Sequence, residues 1–222
     1  MIIELGKQTS VLNQYIAELR DAEIQKDSMR FRANMQRFGQ IVAYEISKEL
    51  KYVEKEVITP LGSSVCPVLA DEIVIATILR AGLPLHLGIL DIFDKSRNAF
   101  VSAYRRMHKS GKFDIAVEYI SSPSITDRVL ILSDPMMATG KSMLLTYKSL
   151  LTKGKPKHTH IVMVLASTEG VEYLRKNVNM DNITLWIGAI DEELTAQAYI
   201  VPGLGDAGDL AFGGKDDRLD VE

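Results

Sequence analysis

The chain reads as an α/β domain: a mostly parallel central sheet flanked by helices, with N-terminal helices and a β-arm ahead of it. Two observations predict this class. Beyond Glu72, short apolar strand-like runs alternate with helical stretches, the pattern of a parallel sheet covered by helices on both faces. A length of 222 residues, 46% hydrophobic and 25% charged, suits one substantial core, so residues 1–222 are expected to form a single domain.

The N-terminal part is helical. In "SVLNQYIAELRDAEIQ", Val11, Leu12, Tyr15, Ile16 and Leu19 share one face, and Ser10 stands where a cap belongs. "RFRANMQRFGQIVAYEISKEL" repeats the spacing. Such stripes are core or subunit contact, and they carry no chemistry. "KYVEKEVITPL" alternates as an exposed strand does, with Val53 and Val57 among β-branched neighbours. "EIVIATIL" is a strand and "PLHLGILDIF" the helix after it. "NAFVSAY", "DRVLILS", "THIVMVLAS" and "NITLWIGAI" are further strands, with helices through "KSMLLTYKSLL" and "TEGVEYLRKN" after the second and third of them. "KDDRLDVE" reads as a solvated end.

Composition excludes several classes. A net charge of -3 leaves no overall footprint for a nucleic-acid binder. The single cysteine, Cys66, forbids an internal disulfide framework and reads as a small, semi-buried apolar residue; with four histidines and no second cysteine, a zinc site is not expected. No apolar run reaches the roughly 18 residues of a membrane span. "MIIELGKQTS" lacks the basic and apolar regions of a signal peptide. The expectation is a soluble cytoplasmic protein.

In open α/β sheets, ligands bind at loops leaving the carboxyl ends of the strands. Three loops answer that description. The first is "ILRAGLPL". Arg80 at a strand end, followed by a small residue and Gly82, can turn its guanidinium fork and nearby amides to one anion; a surface arginine before a helix explains it equally well. The second is "VLILSDPMMATGKSMLL". After Asp134 a short loop leads to Gly140, Lys141 and Ser142 at a helix start, where free amides and the positive dipole end suit a phosphate. "GKS" invites a Walker A assignment, but that spacing needs glycine at position 135, and Pro135 stands there. Asp134 suits sugar hydroxyls or the water shell of a metal, or caps an Asx-type turn. The third is "YIVPGLGDAGDLAFGG". It contains G-x-G-x-x-G at Gly203, Gly205 and Gly208, yet too little chain follows for a βαβ unit and its acidic partner. Glycines there let backbone approach a flat ligand. A tight surface turn accounts for the glycines but not for the apolar flanks "YIVP" and "LAF".

Taken together, "ILRAGL", "DPMMATGKS" and "YIVPGLGDAGD" resemble the uracil phosphoribosyltransferase family, in that order and at similar separations, over residues 29–213. The second loop resembles the phosphoribosyl-pyrophosphate loop of the wider type I phosphoribosyltransferase fold, and the third resembles the family's uracil-binding segment. The resemblance implies transfer of ribose 5-phosphate from phosphoribosyl pyrophosphate to N1 of uracil, with Mg²⁺. It implies that Arg80 and Arg105 bind pyrophosphate. It assigns the ribose and 5′-phosphate to Asp134, Pro135, Met136, Met137, Ala138, Thr139, Gly140, Lys141 and Ser142, with Asp134 on the sugar hydroxyls. Ile200, Gly205, Asp206 and Ala207 match the uracil contacts, and Asp206 also faces the pyrophosphate–Mg²⁺ end. No direct protein metal ligand and no general base are implied. The sequence departs from the family pattern at Lys141, where many members have glycine, and after Arg105. The region around His108 corresponds to a mobile flap, and His108 reads as a surface residue.

Pro135 replaces the second of two acidic residues common in the wider fold, which agrees with the uracil branch and counts against a purine transferase. The alternative function is a regulatory relative that keeps the fold to sense nucleotides or bind RNA; the acidic total opposes it. The helical stripes and the arm predict a homo-oligomer; the resemblance implies a dimer or larger with small-molecule substrates, and neither nucleic acid nor membrane is expected as partner.

Overall fold

The computed structural model describes residues 1–107 and 113–214, with the side chains of residues 103–118 outside that description. The strands are β1 (Ile2–Glu4), β2 (Tyr52–Thr59), β3 (Gly62–Leu69), β4 (Ile73–Leu79), β5 (Arg97–Met107), β6 (Phe113–Ser121), β7 (Val129–Ser133), β8 (Met136–Met137), β9 (His158–Ser167), β10 (Ile183–Asp191), β11 (Glu193–Leu194) and β12 (Ile200–Val201). The α-helices are α1 (Val11–Arg20), α2 (Ser28–Ser47), α3 (Leu83–Ile92), α4 (Lys141–Leu150), α5 (Thr168–Asn177) and α6 (Ala207–Phe212).

The main sheet runs β1-β10-β9-β7-β4-β5-β6, with β8 also paired to β9. Every pairing is parallel except β5 with β6. Alternating side chains feed two cores, as a period of two requires. Ile73, Ile75, Val129, Ile131, Val162, Val164 and Trp186 join α1, α2 and α3 on one face. Val74, Ala76, Leu130, Leu132, Ile161, Met163 and Leu185 join α4 and α5 on the other. This is the predicted layered α/β class.

The caps explain why the N-terminal helices start where they do. The Ser10 hydroxyl accepts from Leu12 N at 3.2 Å, as its position predicts. The Asp27 carboxylate accepts from the amides of Met29 and Arg30 and opens α2. Leu12, Ile16 and Leu19 are buried with Phe31, Met35, Phe38, Val42 and Ile46 of α2. The helical stripe is therefore consumed within this chain, and Val11, expected on it, is exposed.

The β-arm is present as an antiparallel hairpin of β2 and β3, paired from Tyr52↔Leu69 to Thr59↔Gly62. The returning strand was not anticipated; it holds the half-buried Cys66. The hairpin lies outside both cores, with Ile58 80% and Val65 64% exposed. The segment expected to be a flap is the β5–β6 hairpin, whose tip, including His108, lies outside the described residues.

Candidate active site

Two of the loops leave the carboxyl edge of the main sheet, and the third follows β12 of the separate β11–β12 pair. β4 and β7 are neighbours, so the loops after Leu79 and Ser133 start side by side. The Thr77 hydroxyl donates to Ser133 O at 3.1 Å and the Ser133 hydroxyl to Ala76 O at 3.2 Å, tying the two strand ends together. A cleft of about 490 Å³ lined by Val68, Phe93 and Arg97 opens at the other end of β4 and β5, away from these loops.

The loop of residues 134–142 is built into the sheet. Asp134 N donates to Val162 O, and the Pro135 carbonyl accepts from Val164 N and Leu165 N, each at 3.0 Å. Met136 and Met137 form β8 beside Leu165 and Ala166. The Met137 side chain is core, so only its backbone is left for a ligand. From the far side, the Ser167 hydroxyl donates to Ala138 O at 2.5 Å and accepts from Gly170 N at 2.9 Å. Gly140 caps α4 with φ 74°, and a Cβ there would come within 2.7 Å of Gly170 O. Only glycine meets both demands. Thr139 and Ser142 are half-buried and Lys141 is exposed at the first turn of α4. The amides opening α4 stand at the end of this loop, where the sequence reading expects a phosphate.

The Asp134 carboxyl keeps part of its surface open to the site, while the protein around it removes most of its hydration. That burial pushes it up to about 8. Among the described residues, no hydrogen bond or ion pair offsets the cost.

The third segment opens a helix, which its sequence reading did not include. One Asp206 oxygen, Oδ1, accepts from Gly208 N at 2.9 Å and Asp209 N at 3.0 Å, capping α6. Ile200 is 6% exposed and paired in β12 with Leu194 of β11. Gly205 is exposed, with φ 89°, and Ala207 is buried. Arg80 joins this segment to the first loop: its Nη2 donates to Asp209 Oδ1 at 3.1 Å, and both side chains are about two-fifths exposed, at 41% and 43%. A pair so wetted is weak, and most of the guanidinium fork remains for an anion. Arg105 lies in β5 beyond Ser102, the last residue paired with β4. Its side chain is outside the description.

Sequence reasoning missed the residues that hold the third segment. Arg20 of α1 reaches Asp191 at the end of β10 with a two-pronged ion pair, Nη1 to Oδ2 at 2.8 Å and Nη2 to Oδ1 at 2.7 Å. The same Nη1 donates to Gly203 O at 3.0 Å, and Gly203 N donates to Asp191 Oδ2 at 3.0 Å. Arg32 of α2 donates to Ala211 O at 2.6 Å. An acidic residue ending an apolar strand was a usable signal for Asp191, as it was for Asp134. Arg20 and Arg32 look like ordinary helix-surface arginines in the sequence.

Comparison with known proteins shows the family and the fold. The family model described as uracil phosphoribosyltransferase matches residues 6–214. The uracil phosphoribosyltransferase of Porphyromonas gingivalis is 56% identical over 214 residues, covering 96% of this chain and 99% of that protein. That of Pyrococcus furiosus is 37% identical over 203 residues, covering 90% and 85%. The structure of the AQ2163 protein from Aquifex aeolicus superposes with a TM-score of 0.86 at 26% identity, covering 97% of this chain and 100% of that one. A hypoxanthine phosphoribosyltransferase from Staphylococcus aureus shares the fold at TM-score 0.50 and 11% identity, covering 73% and 76%. From its loops, its sheet order and these matches, the chain belongs to the uracil phosphoribosyltransferase family.

Proposed function

We infer that this chain transfers the ribose 5-phosphate group of phosphoribosyl pyrophosphate to N1 of uracil, giving UMP and pyrophosphate. The observation that carries this reading is a single rim. The loop of residues 134–142 and the segment of residues 200–207 stand at one edge of the sheet, and Arg80 bridges from beside the first to Asp209 just past the second.

The bond from the ribose anomeric carbon to pyrophosphate breaks, and its electron pair leaves on the pyrophosphate oxygen. The bond from N1 to that carbon forms, and the N1 proton passes to solvent. Positive charge grows on the sugar and negative charge on the leaving group, so fixed donors and cations at the leaving group lower the barrier. Arg80 and Arg105 serve there. The first turn of α4, with Thr139 and Ser142, holds the 5′-phosphate, and Lys141 adds at most a weak contact. Asp134 faces the ribose hydroxyls. Backbone groups at Ile200, Gly205, Asp206 and Ala207 read the uracil edge. Cytosine reverses one donor and one acceptor on that edge, and each mispaired buried group costs about 1–3 kcal/mol.

Among the described residues, no three His, Cys, Asp or Glu side chains cluster as a metal cage. Mg²⁺ is commonly held by substrate phosphates, water and one or two carboxylates, so its site would need no such cage. Asp206 is the carboxylate we assign to it, because both of its cap bonds fall on Oδ1. Bound with its substrate, the ion neutralises charge on the departing pyrophosphate.

A substrate panel tests the reading: uracil, cytosine, hypoxanthine and orotate, each with phosphoribosyl pyrophosphate and Mg²⁺, followed by nucleotide chromatography. UMP from uracil alone is expected. No product from uracil, or a purine nucleotide, rejects it.

No helix among the described residues is long and apolar enough to cross a membrane, and the lone cysteine is free. From the family's activity we assign a cytoplasmic enzyme with small-molecule substrates and neither a nucleic-acid nor a membrane partner. We also assign it a homodimer or larger assembly built on the β2–β3 hairpin, whose apolar side chains have no cover within the chain. The double variant Ile58→Lys with Val65→Lys should sediment as a monomer with unchanged circular dichroism. A monomeric parent protein overturns the assignment.

A further inference from the structure

We propose that Arg20 and Asp191 are positioning residues for base recognition: a buried strut between the N-terminal helices and the turn that reads the pyrimidine. The proposal rests on assigning residues 200–207 to uracil. Asp191 is only 7% exposed. Each of its carboxylate oxygens takes one arm of the Arg20 guanidinium, at 2.7 and 2.8 Å. The remaining contacts go to the backbone of the turn, since Asp191 accepts from Gly203 N and Arg20 donates to Gly203 O, each at 3.0 Å. Gly203 is thus gripped through both its donor and its acceptor by a single ion pair. It has φ 57°, and a Cβ there would lie 2.2 Å from Ile200 O, so the turn is closed tightly on a residue assigned to uracil.

Two further contacts from the same helical layer continue the brace. With its amide oriented by the surrounding carbonyls, Gln25 donates to Leu204 O at 2.8 Å and Leu19 O at 3.1 Å. Arg32 donates to Ala211 O at 2.6 Å. Helices far away in sequence therefore set the height of residues 203–211 above the sheet. Reading a base edge through main-chain groups demands that those groups hold still, and a planar bidentate fork fixes direction as well as distance. A lysine keeps the charge without the fork.

The strut predicts a selective defect. Arg20→Gln and Asp191→Asn should raise KM for uracil at least tenfold and lower the preference for uracil over cytosine. Binding of phosphoribosyl pyrophosphate, measured by calorimetry without base, should stay within twofold. Arg20→Lys should recover only part of the loss. Arg128→Gln is the control, because it breaks an ion pair to Glu72 at 2.7 Å that touches neither the N-terminal layer nor the turn; its KM for uracil should stay within twofold. Equal losses for uracil and phosphoribosyl pyrophosphate, or an Arg128→Gln effect matching Arg20→Gln, overturn the proposal. Amide hydrogen exchange without substrate separates this outcome from an error in the assigned reaction. In Arg20→Gln the Gly203 and Leu204 amides should exchange at least tenfold faster, with the Leu144 amide unchanged, whatever the protein catalyses. If a variant is too unstable to purify, Gln25→Ala is read by the same exchange, and unchanged Leu204 protection counts against the brace.

Discussion

Residues 134–142 are held by their neighbours in the fold. Their backbone bonds run to β9, the adjoining strand, and to the Ser167 hydroxyl, and Gly140 lies close against Gly170 where α5 begins. Residues 200–209 are held by side chains from the other end of the chain, with Arg20 183 residues away from Gly203. The first arrangement is a strand–loop–helix unit that presents amides to an anion as soon as the sheet forms. The second has geometry only when the N-terminal layer has docked. A phosphate needs charge and donors over a broad surface, whereas a base edge needs a few groups at fixed heights. The difference in support matches the difference in what each ligand demands.

The largest effect expected from this contrast is at Asp134. Its folded carboxyl, near 8, is raised above the ordinary 3.8 by burial. Between about pH 4 and 8 the unfolded chain has released the proton that the folded chain keeps, so this group's contribution to stability declines as pH rises across that window. Asp134→Asn removes the cost and the carboxylate together. Turnover should fall on the order of 10²-fold or more. The thermal midpoint near pH 8 should rise by about 2–6 °C, taking 1–2 kcal/mol at a few degrees per kcal/mol for a chain of this size. Steady-state assays and a melt at pH 8 check both. A variant that keeps its activity, or melts lower, shows that the carboxyl braces the loop instead of serving the ligand.

The contrast also accounts for what the sequence made legible. The strands β4, β5, β7, β9 and β10 are visible because each is a run of apolar residues beside a helix. Gly140 and Ser142 are visible because the loop's support is local, so its motif sits in one stretch of chain. β8 escaped because two methionines in a loop carry no pattern of their own; their pairing depends on β9 passing alongside. β6 escaped because "KFDIAVEYIS" was read as flap, and its strand character comes from pairing back on β5. The glycine-laden segment was found, but its short helix and its anchors were not. Arg20, Gln25 and Arg32 sit on helices whose polar faces look solvated, and only the closed fold brings them to residues 203–211. The oligomer expectation rested on the helical stripes and the arm together; the chain spends the stripes internally, which leaves the exposed hairpin to carry it.

The smallest effect is at Glu18, two residues before Arg20 in α1, and it tests whether the two regions come apart separately. Its carboxylate accepts from Arg30 at 2.8 and 2.9 Å, Asn34 at 2.6 Å and Gln14 at 3.1 Å. The Arg30 hydrogen bonds lead in holding it down at about 2, against an ordinary 4.5. A lowered carboxyl stabilises the fold fully above its unfolded value, and that stability is lost as pH falls from about 4.5 toward 2. Glu18 is buried but Arg30 is half exposed, at 48%, so solvent screening keeps the contribution small. Acid should therefore loosen α1 against α2, and with them the turn at Gly203, before it reaches the loop at Asp134, which low pH favours. Hydrogen exchange at pH 5 and pH 3, corrected for intrinsic rates, should show Gly203 and Leu204 losing protection while Leu144 keeps it. Glu18→Gln should weaken protection at pH 5 and flatten the change between the two. Equal loss at Leu144 and Gly203 means that the base segment and the phosphate loop open as one unit, and that the N-terminal layer is no separate support.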